Sequence, residues 1–131
     1  MEEDKIDWFD KEGQELFKFL VEDLGYVMSD KKIDVLNGKK WSVKHTYTNN
    51  KLKLKIEISQ APYYTDYGFS FFLSNLKKGE QSLLYHVPHE RQDKNGQFLA
   101  KASRDLLTTK ETFDLISGKT WRQLRSIPFQ L

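Results

Sequence analysis

From Trp41 to Thr48 the chain alternates apolar and polar residues, Asn49-Asn50 follows, and Lys51-Leu-Lys-Leu-Lys-Ile-Glu-Ile58 alternates again. A two-residue period on both sides of a turn pair commits this stretch to a β-hairpin with one buried and one polar face. With Asn49-Asn50 as a two-residue turn, Tyr47 pairs with Leu52, His45 with Leu54, Val43 with Ile56 and Trp41 with Ile58, all on the apolar side. The other side pairs Thr46 with Lys53, Lys44 with Lys55 and Ser42 with Glu57. Two lysines directly opposite each other cost about 0.2–1 kcal/mol, so the polar face is lysine-rich at a small penalty.

Around that hairpin the pattern changes period. Asp7 to Leu24 reads as a helix with Asp7 as N-cap and Gly25 ending it. Phe9, Leu16, Leu20 and Leu24 share a face that Trp8, Phe17, Phe19 and Val21 widen, while Lys11, Glu15, Lys18 and Glu22 form a solvated stripe of alternating sign. Gly13 weakens this helix unless close packing requires it. Tyr26 to Val35 offers one or two short strands with a turn near Ser29-Asp30-Lys31-Lys32, and Asn37-Gly38 marks the next turn.

After a loop at residues 61–66, Tyr67 to Ser74 alternates as a strand with Tyr67, Phe69, Phe71 and Leu73 on one face and Phe72 on the other. Lys77-Lys78-Gly79-Glu80 turns the chain, and Ser82 to Val87 forms a further strand that Pro88 stops. Past Asn95-Gly96, Phe98, Leu99, Ala102 and Leu106 recur at helical spacing. Thr108 with Glu111 reads as a capping box for a short helix that Gly118 ends, and a last turn around Trp121 and Leu124 leads to Pro128. The order predicts one two-layer α+β domain over residues 1–131: an N-terminal helix, an antiparallel meander of four to five strands, and C-terminal helices.

A chain of 131 residues is the size of one domain, about 100–150 residues, and its aromatic share of 14% argues for a real core rather than disorder. With no cysteine, disulfide scaffolds, thiolate nucleophiles and cysteine-held metals are excluded. The acidic opening Met1-Glu2-Glu3-Asp4 is unlike a signal peptide, and no apolar run approaches the roughly 18 residues of a membrane span. A cytoplasmic protein without membrane contact is the expectation.

Motifs that approach known chemistry fall short of it. Ser117-Gly118-Lys119-Thr120 ends like a phosphate-binding loop, but Phe113 stands where that motif needs its first Gly, so a helix C-cap is expected. Asp93-Lys94-Asn95-Gly96 resembles part of a calcium loop, yet the register puts Arg91 and Ala102 at ligand positions. His86, His89 and Glu90 come nearest to a metal set, but Pro88 interrupts the element that carries them, and they read as a strand end. His45 falls on the apolar hairpin face as a hydrogen-bonded structural histidine. No catalytic residue, metal or cofactor is nominated.

Two surfaces remain as candidates for binding macromolecules. Residues 1–30 carry three lysines against ten acids, and residues 31–60 eight lysines against two, which suggests a bipolar surface able to orient a charged partner. For a protein partner the candidates are Asp7, Asp10 and Glu12 in the acidic opening, and Tyr63, Tyr64, Asp66 and Tyr67 in a loop suited to interface contact. For nucleic acid the candidates are Lys44, Lys51, Lys53 and Lys55 on the hairpin. The same lysines also suit a strand protected against aggregation.

The opening helix Phe9-Asp-Lys-Glu-Gly-Gln-Glu-Leu16 leaving through Leu24-Gly25-Tyr26, followed by lysine- and aromatic-rich hairpins and C-terminal helices, resembles small bacterial immunity proteins. The resemblance is one of layout and carries over no functional residue. It implies a non-enzymatic protein that neutralises a cognate toxin by direct binding, and the acidic opening suits a basic toxin domain as that partner. A nucleic-acid-binding module using the lysine face is the alternative.

Overall fold

The structure, a computed structural model, describes residues 4–62, 68–92 and 96–121. Five strands, β1 (Val27–Leu36), β2 (Lys39–Asn49), β3 (Leu54–Gln60), β4 (Gly68–Asn75) and β5 (Glu80–Pro88), form one antiparallel sheet in sequence order. Helices α1 (Lys5–Leu16), α2 (Phe19–Glu22), α3 (Gln97–Thr108) and α4 (Lys110–Ile116) supply the second layer of the expected α+β fold.

The core lies between the layers. Val43, Tyr47, Ile56, Ile58, Phe69, Phe71 and Leu73 are buried on the helix side of the sheet, against Ile6, Phe9, Phe17, Leu20, Leu99, Ala102 and Leu106. Phe17 stacks on Phe69 with ring centroids 6.2 Å apart and also meets Phe71, so the sheet centre is largely aromatic.

The first helix differs from expectation at both ends. Asp4, not Asp7, is the N-cap: its Oδ1 accepts from the Ile6 N–H at 2.7 Å. The helix then breaks at Phe17-Lys18 and resumes as the single turn α2. An unbroken helix would set Phe17 and Phe19 about 200° apart around its axis. The break lets Phe17, Phe19 and Leu20 all enter the core.

The hairpin register is also corrected. Asn49 pairs with Leu54, Tyr47 with Ile56, His45 with Ile58 and Val43 with Gln60, leaving residues 50–53 as the turn. The Asn49 side chain builds that turn: its Oδ1 accepts from the Leu52 N–H at 3.0 Å and its amide donates to the Leu24 carbonyl. The slip is four residues in the sum of partners, an even number, so each side chain keeps its predicted face.

Three further differences are local. Val27–Leu36 is one strand, and the irregularity near Ser29 is a β-bulge, not a turn. The capping box at Thr108 does not form: Thr108 closes α3 with its hydroxyl on the Arg104 carbonyl at 2.8 Å, and Thr109 takes the N-cap position of α4. Trp41 sits beside a second bulge between β1 and β2 and has no place opposite Ile58. The turns at Asn37-Gly38 and before Glu80 stand where they are expected.

Candidate functional site

The acidic opening and the lysine-rich segment after it are not separate poles. The Lys40 ammonium donates to Asp7 Oδ1 at 2.7 Å, and Lys31 donates to Asp10 Oδ2 at 3.1 Å. Two acids of α1, Asp7 and Asp10, are therefore matched by lysines of β2 and β1, and the expected bipolar surface is partly cancelled at this seam.

Asp10 also reaches inward. Its Oδ1 lies 2.8 Å from Nε2 of His45, which is 1% exposed and stacks on Phe9 with centroids 5.6 Å apart. Burial acts to raise the Asp10 pKa, but hydrogen bonds from His45 and Lys31 outweigh it and hold the carboxyl below its ordinary value. For His45 burial is the stronger influence and pushes the imidazole down, against the pull of Asp10. A neutral imidazole facing an ionised carboxylate donates through its Nε2–H. His45 is thus the structural, hydrogen-bonded histidine expected. A Cβ at Gly13 would stand 3.4 Å from the Phe9 ring and 3.6 Å from His45 Cε1, ordinary contact distances, so this packing does not require glycine there.

Of the remaining protein-contact candidates, Glu12 is half-buried on α1, while Tyr63, Tyr64, Asp66 and Tyr67 lie outside the described residues. The lysine face is broken up. Lys51 and Lys53 sit in the turn, Lys53 with a φ of 58°, and not on a strand. Lys44 and Lys55 do not oppose each other: Lys44 pairs with Ser59 and Lys55 with Thr48. Both instead approach Glu57, Lys44 at 3.1 Å and Lys55 at 3.8 Å.

The histidines near Pro88 have separate settings. His86 Nδ1 lies 3.0 Å from the Ser70 hydroxyl across β4 and β5, and burial pushes its pKa down. His89 belongs to a single 3₁₀ turn, His89–Arg91. Among the described residues no group of three or more histidine, aspartate or glutamate side chains could hold a metal ion. Ser117-Gly118-Lys119-Thr120 is a helix C-cap as expected: Gly118 has a φ of 80°, its N–H donates to the Leu115 carbonyl, and that of Lys119 donates to Asp114.

One surface went unread in the sequence. β1 is an edge strand, and Val27, Val35 and Leu36 on it are 63%, 58% and 56% exposed. Between these apolar ends lie Asp30, Lys31, Lys32 and Asp34, with Asp34 accepting from the Ser42 hydroxyl at 2.6 Å. The signal was present as a strand whose apolar residues lack strict alternation, a pattern masked by the bulges on either side of its centre. Among the described residues no helix is long and apolar enough to cross a membrane. Comparison of the chain with protein-family models, with curated proteins and with solved structures finds no match in any of the three.

Proposed function

We propose that this chain is a non-enzymatic protein-binding module, in its specific form an immunity protein that holds a cognate toxin inactive by direct contact. The observation that supports the reading is the β1 edge, which pairs with no further strand among the described residues. An edge strand offers unpaired main-chain donors and acceptors to an extended segment of another chain, and proteins that do not use such an edge normally cover or blunt it. Here the middle of β1 carries charges and bulges that discourage indiscriminate pairing, while its ends expose Val27, Val35 and Leu36. That combination favours a partner segment whose charges complement Asp30, Lys31, Lys32 and Asp34. The nucleic-acid alternative on Lys44, Lys51, Lys53 and Lys55 has less support, because Glu57 lies between Lys44 and Lys55.

The test is capture from source-cell lysate with the full chain as bait, with and without nuclease treatment and at low and high salt, in parallel with a Val35→Lys/Leu36→Lys bait. The captured protein is then expressed alone and together with this chain. The proposal expects one near-stoichiometric protein, lost from the doubly substituted bait, that is toxic alone and harmless in co-expression. Recovery of nucleic acid only, or the same proteins on both baits, would overturn it.

A further inference from the structure

At the opposite side of the sheet from β1, helix α3 turns Gln97, Ala100, Lys101 and Arg104 toward Arg91 at the end of the 3₁₀ turn. Together they line a cleft of about 450 Å³ with Phe98 as an apolar wall. Positions 97, 101 and 104 follow the helical repeat, so the cations of α3 fall on one flank. Ala100 lies among them on the same flank, and its short side chain leaves room that a longer one would fill. The Phe98 ring is held by contacts with Trp8 and Phe69, with centroids 6.3 and 6.1 Å away.

The charges here are not balanced as they are along α1. Lys101 donates to Asp105 Oδ2 at 2.7 Å, and the Tyr85 hydroxyl donates to the same oxygen at 2.8 Å, which fixes Lys101 at the rim. Arg91 and Arg104 have no carboxylate within salt-bridge distance among the described residues. The cleft thus gathers two guanidinium groups that no described carboxylate pairs directly, Asp105 acting on Arg104 only through space, and the positive end of α3 lies on the same side.

We propose that this cleft binds the phosphate group of a nucleotide unit. Arg91 comes from one wall, and Lys101 and Arg104 from the other. A phosphate presents non-bridging oxygens in several directions and can meet donors from both walls, whereas a carboxylate has two coplanar oxygens that one guanidinium satisfies. Phe98 supplies a fixed ring for the sugar or base, and the volume falls within the roughly 300–1,000 Å³ of small-ligand sites. The unit is either a free nucleotide or one residue of a single strand. This site shares no residue with the β1 edge, so it stands or falls apart from the proposed partner contact.

The test titrates the full chain at low salt with adenosine monophosphate by calorimetry and with a labelled short thymidine oligonucleotide by fluorescence anisotropy. Arg91→Gln/Arg104→Gln is compared with Lys77→Gln/Lys78→Gln, which removes the same charge from the exposed turn between β4 and β5. The proposal expects a loss of about tenfold or more for the arginine pair and less than about twofold for the lysine pair. Ala100→Gln, which fills the cleft without changing charge, is expected to weaken binding as well. Thermal unfolding of each variant verifies that it is folded. Binding of the mononucleotide assigns a free nucleotide, and binding of the oligonucleotide alone assigns a nucleic-acid strand. The proposal is overturned if neither probe binds, if both double variants lose equally, if Ala100→Gln binds unchanged, or if polyglutamate binds as tightly with the same arginine dependence.

Discussion

His45 and Asp10 join the sheet to the first helix through a hydrogen bond of 2.8 Å, with the imidazole almost wholly inside the core. Burial holds the folded His45 below its ordinary 6.5, so the unfolded chain takes up its proton at a higher pH than the folded one. Where the unfolded state binds more protons, stability rises with pH. His45 therefore leaves stability intact above about 6.5 and removes it as pH falls through the folded value. His86, also depressed by burial, acts in the same direction. Asp10, held below 3.8, adds a second decline below that value. Urea midpoints measured across this range should fall from neutral toward pH 5 and fall again in stronger acid; a constant midpoint between pH 7 and pH 5 would contradict the account.

Replacing Asp10 with Asn keeps the shape but removes the charge that His45 and Lys31 both meet. Hydrogen bonds to charged groups contribute about 1.5–3 kcal/mol, so Asp10→Asn should destabilise by about 2 kcal/mol in denaturant unfolding. It should also flatten the acid decline below 3.8, since the titrating group is gone. Wild-type stability in the variant would show that the seam between α1 and the sheet contributes nothing.

Two glycines should respond in opposite senses to Ala. At Gly13 a Cβ meets the Phe9 ring at 3.4 Å, an ordinary contact, and Ala restores helix propensity, so Gly13→Ala should stabilise by about 0.5–1 kcal/mol. At Gly68 a Cβ would press on the Val87 carbonyl and stand 2.8 Å from the His89 nitrogen, both of them backbone. Gly68→Ala should lower stability by about 2 kcal/mol or prevent folding, because neither strand can yield without breaking the ladder. Equal unfolding midpoints for the two variants would refute this reading of the packing.

Tyr26 closes the far end of the core by donating its hydroxyl to the Ile116 carbonyl at 2.7 Å. Burial pushes the phenol well above its usual range, so it remains a donor throughout the accessible pH scale. Tyr26→Phe keeps the ring and strands the carbonyl, with an expected loss of about 1–2 kcal/mol. Unchanged amide exchange at Lys119 and Thr120, whose N–H groups cap the same helix, would show instead that α4 does not depend on this bond.

How far the sequence was legible follows from the kind of signal each feature sends. Alternation announced the hairpin and its faces, and the buried set Val43, His45, Tyr47, Leu54, Ile56 and Ile58 survived a wrong register because parity was kept. The register itself depended on Asn49, whose side chain builds a longer turn than its identity suggests. The break after Leu16 was hidden because Phe17-Lys18-Phe19-Leu20 has acceptable helix propensity, and only the core's demand for both phenylalanines bends it. The cleft on α3 was invisible for a different reason. Arg91 and Arg104 belong to separate elements, and no local pattern tells which of several exposed cations lack a carboxylate.

The sheet order repeats the sequence order, so each strand can pair with the one made just before it. A chain emerging from the ribosome can therefore assemble β1 to β5 stepwise, while the cover over Phe69 and Phe71 stays incomplete until α3 appears. Ser103 on α3 donates to the Leu16 carbonyl at 2.8 Å across 87 residues, fastening a helix made after the sheet to one made before it. During synthesis, α1 must either shield the aromatic face alone or leave it to a chaperone until that late fastening is made.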